Sequence, residues 1–247
     1  MKSLDDFFKD INHRLRTGKF KDCSMPLFRG HSDGAFELLP TLQRSCNVTK
    51  KEIWTLENNL YCDFRSMVGP RVNFRSSWDA LFAMRHEGIP TRLLDWTESI
   101  GTALFFALNS SATKRPHIWV LNPYKLNEHE KIAKGMLVNP EEDLKDYQKS
   151  YACYCYEPDP TLHTLPIAVY PNRTNERILA QKGWFTIHGI DDRRMEDNCI
   201  DSLEKIDVPV RLITKLRSLI KHFGINSYTV YPDFKGLCEH LKETYSY

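Results

Sequence analysis

Residues Arg85–Leu108 read RHEGIPTRLLDWTESIGTALFFAL, a stretch that divides into a polar loop and an apolar helix. Pro90 biases Ile89 away from the helical region, and Thr97 is a good N-cap residue followed by Glu98, a negative charge where a helix start favours one. A helix is therefore expected to begin at Thr97. From Ile100 to Leu108 only Gly101 and Thr102 interrupt the apolar run, so this helix has no solvent face and should lie inside the domain. Just ahead of it stand Thr91, Arg92, Asp95 and Trp96: a hydroxyl, two opposite charges and a large ring on a loop held by a buried helix. Free N–H groups at a helix start favour an anion, and polar loop residues on a rigid scaffold are how binding sites are usually built. A plainer assignment is that Arg92 and Asp95 pair and cap the helix while Trp96 anchors the core.

The surrounding chain is that of an ordinary folded domain. Its 247 residues can bury a real core, as one large domain or a domain with an appendage. A hydrophobic content of 41%, a charged content of 27% and five Trp exclude a disordered chain. The net charge of +2 is too small to argue for nucleic acid, because any basic patch would have to arise by clustering in space. The opening MKSLDDFFKD lacks a signal-peptide apolar core, and no apolar run nears the roughly 18 residues that span a bilayer. A cytoplasmic location away from membranes is expected. Seven Cys without C-x-x-C spacing are expected to be buried reduced thiols; Cys153 and Cys155 form the only close pair, and no metal site is expected.

In chain order, Leu4, Phe7, Phe8, Ile11 and Leu15 repeat with helical spacing and predict an opening helix ending near Gly18. Cys23–Arg29 reads as a strand ended by Gly30, and Arg44 follows a Pro-led turn. Helices are predicted over Lys50–Met67 and Trp78–Met84. A strand is predicted at His117–Leu121, then a polar surface insertion from about 125 to 164 with a helix at Glu141–Ser150. Strands follow at Leu165–Pro171, Trp184–His188 and Ser202–Asp207. An amphipathic helix from Val210 to Phe223 and a last one over Lys235–Thr244 close the chain, with Pro209 and Gly224 placed as helix punctuation. Arg29-Gly30 joins a forked cation to a residue that allows close backbone approach, a pair suited to phosphate, although pairing with a nearby carboxylate is an equal possibility. Arg44 is a second phosphate candidate. His86 offers a neutral imidazole for a ribose hydroxyl or for orienting Asp95, and Gln181 offers a donor and an acceptor.

The run H-x-G-I-P-T-R-L-L-D-W-T…A-L-F-F-A closely resembles the signature of the FRG domain family, and Phe28-Arg29-Gly30 is the tripeptide that names the family. Arg85 and Glu87 depart from the family pattern around His86, which matches it. The likeness extends from about Met25 to Leu241, interrupted mainly from Lys125 to Thr164, so that the chain divides into the N-terminal helix, 1–20, and the domain, 21–247. The order of polar clusters also resembles that of ADP-ribosyltransferases. That looser likeness implies an α+β fold: a single domain with a small mixed or split antiparallel sheet flanked by helices. It implies NAD as substrate, with no metal, and a role as ADP-ribosyltransferase or NAD glycohydrolase in conflict between bacteria and phage, as a toxin or antiviral effector. On this reading Arg29 and Gly30 hold the pyrophosphate, Trp96 or Trp184 stacks on nicotinamide or adenine, and His86, Thr91, Arg92 and Thr97 complete the nucleotide site. Glu176 or Gln181 supports the charge that builds as nicotinamide leaves, and Asp95 is the other candidate carboxylate. Glu176 is shifted by one position from the usual catalytic Glu. Two alternatives stay open: a nucleotide-binding or interaction module that keeps the pocket without the reaction, and a nucleic-acid-acting enzyme using His86 and Asp95. The acceptor, protein or nucleic acid, and the oligomeric state are left open.

Overall fold

The computed structural model describes residues 3–45, 50–109, 114–130, 133–141, 163–173 and 175–245. Helix α1 (Leu4–Leu15) starts at a capping box, in which the Ser3 hydroxyl accepts from the Asp6 amide and the Asp6 carboxylate accepts from the Ser3 amide. Then come β1 (Leu27–His31), α2 (Thr41–Ser45), α3 (Lys50–Val68), α4 (Ser77–His86), β2 (Leu93–Thr97), α5 (Ile100–Leu108), β3 (His117–Leu121) and α6 (Pro123–Glu128). The remainder is β4 (Ile167–Val169), α7 (Glu176–Ala180), β5 (Gly183–Ile187), α8 (Met195–Asn198), β6 (Leu203–Asp207), α9 (Ile213–His222), α10 (Ser227–Val230) and α11 (Phe234–Tyr245).

The strands form one six-stranded sheet in the order β4-β5-β2-β1-β3-β6, every neighbouring pair antiparallel. The fold class is therefore α+β, with an antiparallel rather than a mixed sheet. Alternation along each strand sends side chains to opposite faces. One face carries two separate apolar clusters. Phe28, Ile118, Val120 and Ile206 pack under α1, α5 and α9, while Leu93, Ile167, Phe185 and Ile187 pack under α3 and α4. The other face buries Leu27, Leu94, Trp96, Trp119 and Trp184 together with α6 and α8.

Several predicted boundaries move, each for a packing reason. Leu93–Thr97 is not a loop but a central strand, paired along its whole length with β5 and held at one end by β1. The alternation of Leu93, Asp95 and Thr97 with Leu94 and Trp96 fits it between two half-buried faces. Helix α5 starts after Ser99, whose hydroxyl accepts from the Thr102 amide at 3.2 Å, and not at Thr97. Thr97 instead donates its hydroxyl to the Gln181 carbonyl at 2.6 Å, tying β2 to the turn before β5. Strand β1 likewise runs on through Gly30 to His31. A side chain at Gly30 would bring its Cβ within 1.9 Å of the Ala103 carbonyl oxygen, so the glycine admits the backbone of α5.

The predicted surface insertion is partly core. Leu126 and Asn127 are fully buried, and Ala133, Val138 and His163 nearly so. Asn127 donates to the Ala168 carbonyl at 3.0 Å and accepts from the Ala168 amide at 2.7 Å, acting as one more rung on the edge strand β4. The helix predicted at Glu141–Ser150 and the Cys153–Cys155 pair lie outside the described residues beyond Glu141. Among the described cysteines, Cys199 is buried whereas Cys62 and Cys238 are exposed, which corrects the expectation of uniformly buried thiols. No described helix is long and apolar enough to cross a membrane.

Candidate functional site

Strands β1 and β2 meet at one residue pair, Phe28 opposite Thr97, and are not paired beyond it. On the face shared by Asp95 and Thr97, this parting falls between the two apolar clusters. A cleft of about 360 Å³ opens there, within the range of small-molecule sites. Its walls include Phe28, Arg29 and Gly30 of β1, Asp95, Trp96 and Thr97 of β2, and Phe106 of α5. Arg85 and His86 at the end of α4, with Glu87, and Arg177 and Gln181 around α7 complete it. Three chain-distant groups, Arg29, Asp95 and Gln181, thus share one cleft.

Asp95 is the hub of the charges. The Arg85 Nε–H reaches both carboxylate oxygens at 3.0 Å, Arg85 Nη2 also donates to Oδ2, and Arg85 Nη1–H donates to the Thr41 hydroxyl at 2.8 Å. Arg29 Nη1–H donates to the Asp95 backbone carbonyl at 2.7 Å and lies 3.5 Å from Oδ2, so a side chain replaces the missing rung between β1 and β2. Burial by itself would raise the Asp95 pKa, but the charge and hydrogen bonds of Arg85, helped by Arg29 and Arg177, outweigh it and hold the group down at about 2. Asp95 is ionised at any working pH and acts as an acceptor, not a proton donor. Its side chain keeps 39% exposure and remains reachable from the cleft.

Burial lowers the Arg29 pKa to about 10, with Asp95 opposing and Arg85 and Arg44 adding to the fall, so Arg29 stays a cation at neutral pH. Its Nε–H donates to His31 Nε2 at 3.0 Å, which fixes the imidazole as neutral with its proton on Nδ1. Burial, then Arg29 and His117, push the His31 pKa down to about 2. Arg177 Nη1–H donates to the His86 carbonyl at 3.0 Å, and its guanidinium sits 4.6 Å from the Tyr231 ring centre. Gln181 Nε2 donates to the Val230 carbonyl at 3.1 Å, leaving its oxygen to accept. His86 Nδ1 lies 2.8 Å from Glu87 Oε1 on the rim.

The structure sets other candidates elsewhere. Arg92 is 2% exposed and pairs with Glu57, its guanidinium 3.9 Å from the Trp54 ring centre, under α3. Arg92 stands just before β2, where strand alternation no longer sets its direction, and Glu57 and Trp54 of α3 receive it on the same side as Leu93. Thr91 is fully buried, and its hydroxyl accepts from the Leu93 amide at 3.3 Å. Trp96 and Trp184 are each 3% exposed in the far-face core, so neither presents a ring for stacking. The Trp96 indole N–H donates to the Thr186 hydroxyl at 3.1 Å, and that of Trp184 to Glu98. Glu176 is exposed in the first turn of α7 and does not line the cleft. Sequence reasoning missed Phe28, Phe106, Glu87, Arg177 and above all Arg85. The signal for Arg85 was its departure from the family pattern beside a lone carboxylate. Among the described residues, no group of three His, Cys, Asp or Glu side chains is placed to hold a metal ion.

These features define an α+β protein whose antiparallel sheet parts at an arginine-lined cleft. Residues 24–115 match the model of the FRG domain, and the chain carries that domain. The matched segment holds Arg29, Arg44, Arg85 and Asp95, whereas Arg177 and Gln181 come from beyond it. Neither a curated protein nor a solved structure matches the chain.

Proposed function

We propose that the cleft binds NAD and that the protein is an ADP-ribosyltransferase or NAD glycohydrolase. The observation that carries this reading is the convergence of Arg29, Arg85 and Arg177 on a single cleft around Asp95. Forked guanidinium donors, held in place by their own hydrogen bonds, suit a pyrophosphate. The half-buried Phe106 supplies an apolar wall for a flat ring, the part that the buried Trp96 and Trp184 were expected to play. Asp95 and the Gln181 oxygen are acceptors for ribose hydroxyls. When the bond between ribose and nicotinamide breaks, nicotinamide leaves with the electron pair and positive charge builds on the sugar. A preorganised anion favours that state. Water then yields free ADP-ribose, or a protein or nucleic-acid acceptor takes the sugar and releases its own proton.

One feature favours a second reading, a nucleotide-binding module without the reaction. Both oxygens of Asp95 are engaged by Arg85, which offsets much of its charge, and Glu176 stands outside the cleft. Incubation of the protein with NAD, followed by mass measurement of nicotinamide and of modified macromolecules, separates the two. Release that is lost in Asp95→Asn while NAD binding persists supports the enzyme. Binding without release in the unaltered protein supports the module, and no NAD binding at all defeats both. Toxicity on expression, relieved by Asp95→Asn, would fit an active effector.

A further inference from the structure

On the far side of Arg29 lies a second cavity, of about 230 Å³, which meets the cleft at Arg29, Gly30 and Phe106 and is otherwise walled by His31, Ser32, Phe36, Arg44 and Asn109. We propose that this cavity is a separate subsite for one nucleotide unit, with its phosphate between Arg44 and Arg29 and its base against Phe36. The proposal goes beyond the NAD reading and does not need NAD to be cleaved.

Charge points to an anion. Among the described residues two guanidinium groups line the cavity and no carboxylate does, whereas in the larger cleft Asp95 and Glu87 offset the arginines. Arg44 is exposed, and its hydrogen bond to the Thr41 hydroxyl, at 3.4 Å, is long enough to yield to a ligand. The wall also contains a poorly satisfied polar group. His31 is 3% exposed, its Nε2 is taken up by Arg29, and Nδ1, which must then carry the proton, faces the Phe36 backbone without a well-formed hydrogen bond among the described residues. Native proteins rarely leave such a donor unmet, and an acceptor oxygen at this wall would meet it after a small adjustment. The aromatic surface is Phe36, 46% exposed and held edge-on against the His31 ring at a centroid distance of 6.0 Å. A base stacks on such a ring whatever its sequence. Together these features ask for a phosphate joined to a flat ring, which is a nucleoside monophosphate unit.

Two sources would present this chemistry: the adenylate half of a dinucleotide lying across Arg29, or a second nucleotide, free or at the end of a strand. The experiment is calorimetric titration with AMP and with adenosine, alone and at saturating NAD. The expected result is that AMP binds and adenosine binds at least about tenfold more weakly, the phosphate being the main anchor. Arg44→Glu should weaken AMP by about tenfold or more and Phe36→Ala by several-fold, both with unchanged melting temperatures. Competition between AMP and NAD identifies one ligand spanning both cavities, whereas simultaneous binding identifies a second nucleotide; either supports the subsite. AMP affinity that is absent, equal to that of adenosine, or unchanged in both variants overturns it. Nicotinamide release, followed on the same samples, tests the enzyme reading separately.

Discussion

Gly30→Ala should destabilise the whole fold rather than only weaken a ligand. A Cβ built on Gly30 lies 1.9 Å from the Ala103 carbonyl oxygen, 2.7 Å from the Ala107 amide nitrogen and 2.9 Å from the Ala103 carbonyl carbon. All three are backbone atoms of α5, so no rotamer change relieves them; either the helix or the strand has to retreat. That movement would lift Ala103, Leu104 and Ala107 away from Phe28 and Ile118 in the core beneath. Overpacking usually costs about 1–3 kcal/mol, and an obstacle made of backbone puts this site near or above the upper end. At roughly 2–4 °C per kcal/mol for a chain of this size, about 3 kcal/mol lowers the melting temperature by about 6–12 °C. Thermal and urea unfolding measure the loss, and NAD titration well below the melting point shows what the surviving fold still binds. An unchanged melting temperature with abolished binding would refute this reasoning, because the glycine would then be serving a ligand and not the helix.

Three further outcomes follow from the same geometry. Arg92→Ala leaves Glu57 buried and uncompensated, so it should cost about 3–5 kcal/mol in urea unfolding, and the double variant Arg92→Met with Glu57→Leu should recover much of that. Recovery of the fold with intact NAD binding would confirm that Arg92 is not a ligand residue. Burial, reinforced by neighbouring charges, holds His188 at about 3 and, with Arg92 opposing protonation too, His163 at about 3. The unfolded chain takes up these protons below its ordinary histidine pKa near 6.5, so their contribution is complete above that pH and is lost as pH falls toward 3. His188→Leu should flatten the stability profile between those limits by about 1.4 kcal/mol per pH unit, read from urea midpoints across pH; an unaltered slope would contradict the assignment. Trp96→Phe removes the hydrogen bond to Thr186 and should cost about 1 kcal/mol, with NAD affinity unchanged; a large loss of affinity would mean that the indole contacts the ligand after all.

Periodicity made most elements legible. His117–Leu121 has its predicted bounds, and α3, α9 and α11 fall within a few residues of theirs, because long repeats leave little choice of buried face. The misreading of Leu93–Thr97 has a specific cause. Asp95 and Arg92 flank a short apolar pair, so the segment looks polar until the cleft and the Glu57 partner that accept those charges are known. The insertion was misjudged for a similar reason: the polar Asn127 earns its buried place through bonds to Ala168, a residue forty-one positions away.

The amino-acid sequence by itself determined the kinds of element, their order, and the tripeptide and helix motifs that mark the FRG domain, since these depend on neighbours along the chain. It also singled out Arg29, Asp95 and Gln181. Only the tertiary structure decided which charged groups share a site. A net charge of +2 conceals a cleft where Arg29, Arg85 and Arg177 meet, while Arg92, three residues from Asp95, is turned into a core. The Glu57 partner on α3, the parting of β1 from β2 and the pressure of α5 on Gly30 set those directions, and all three are properties of packing between distant segments.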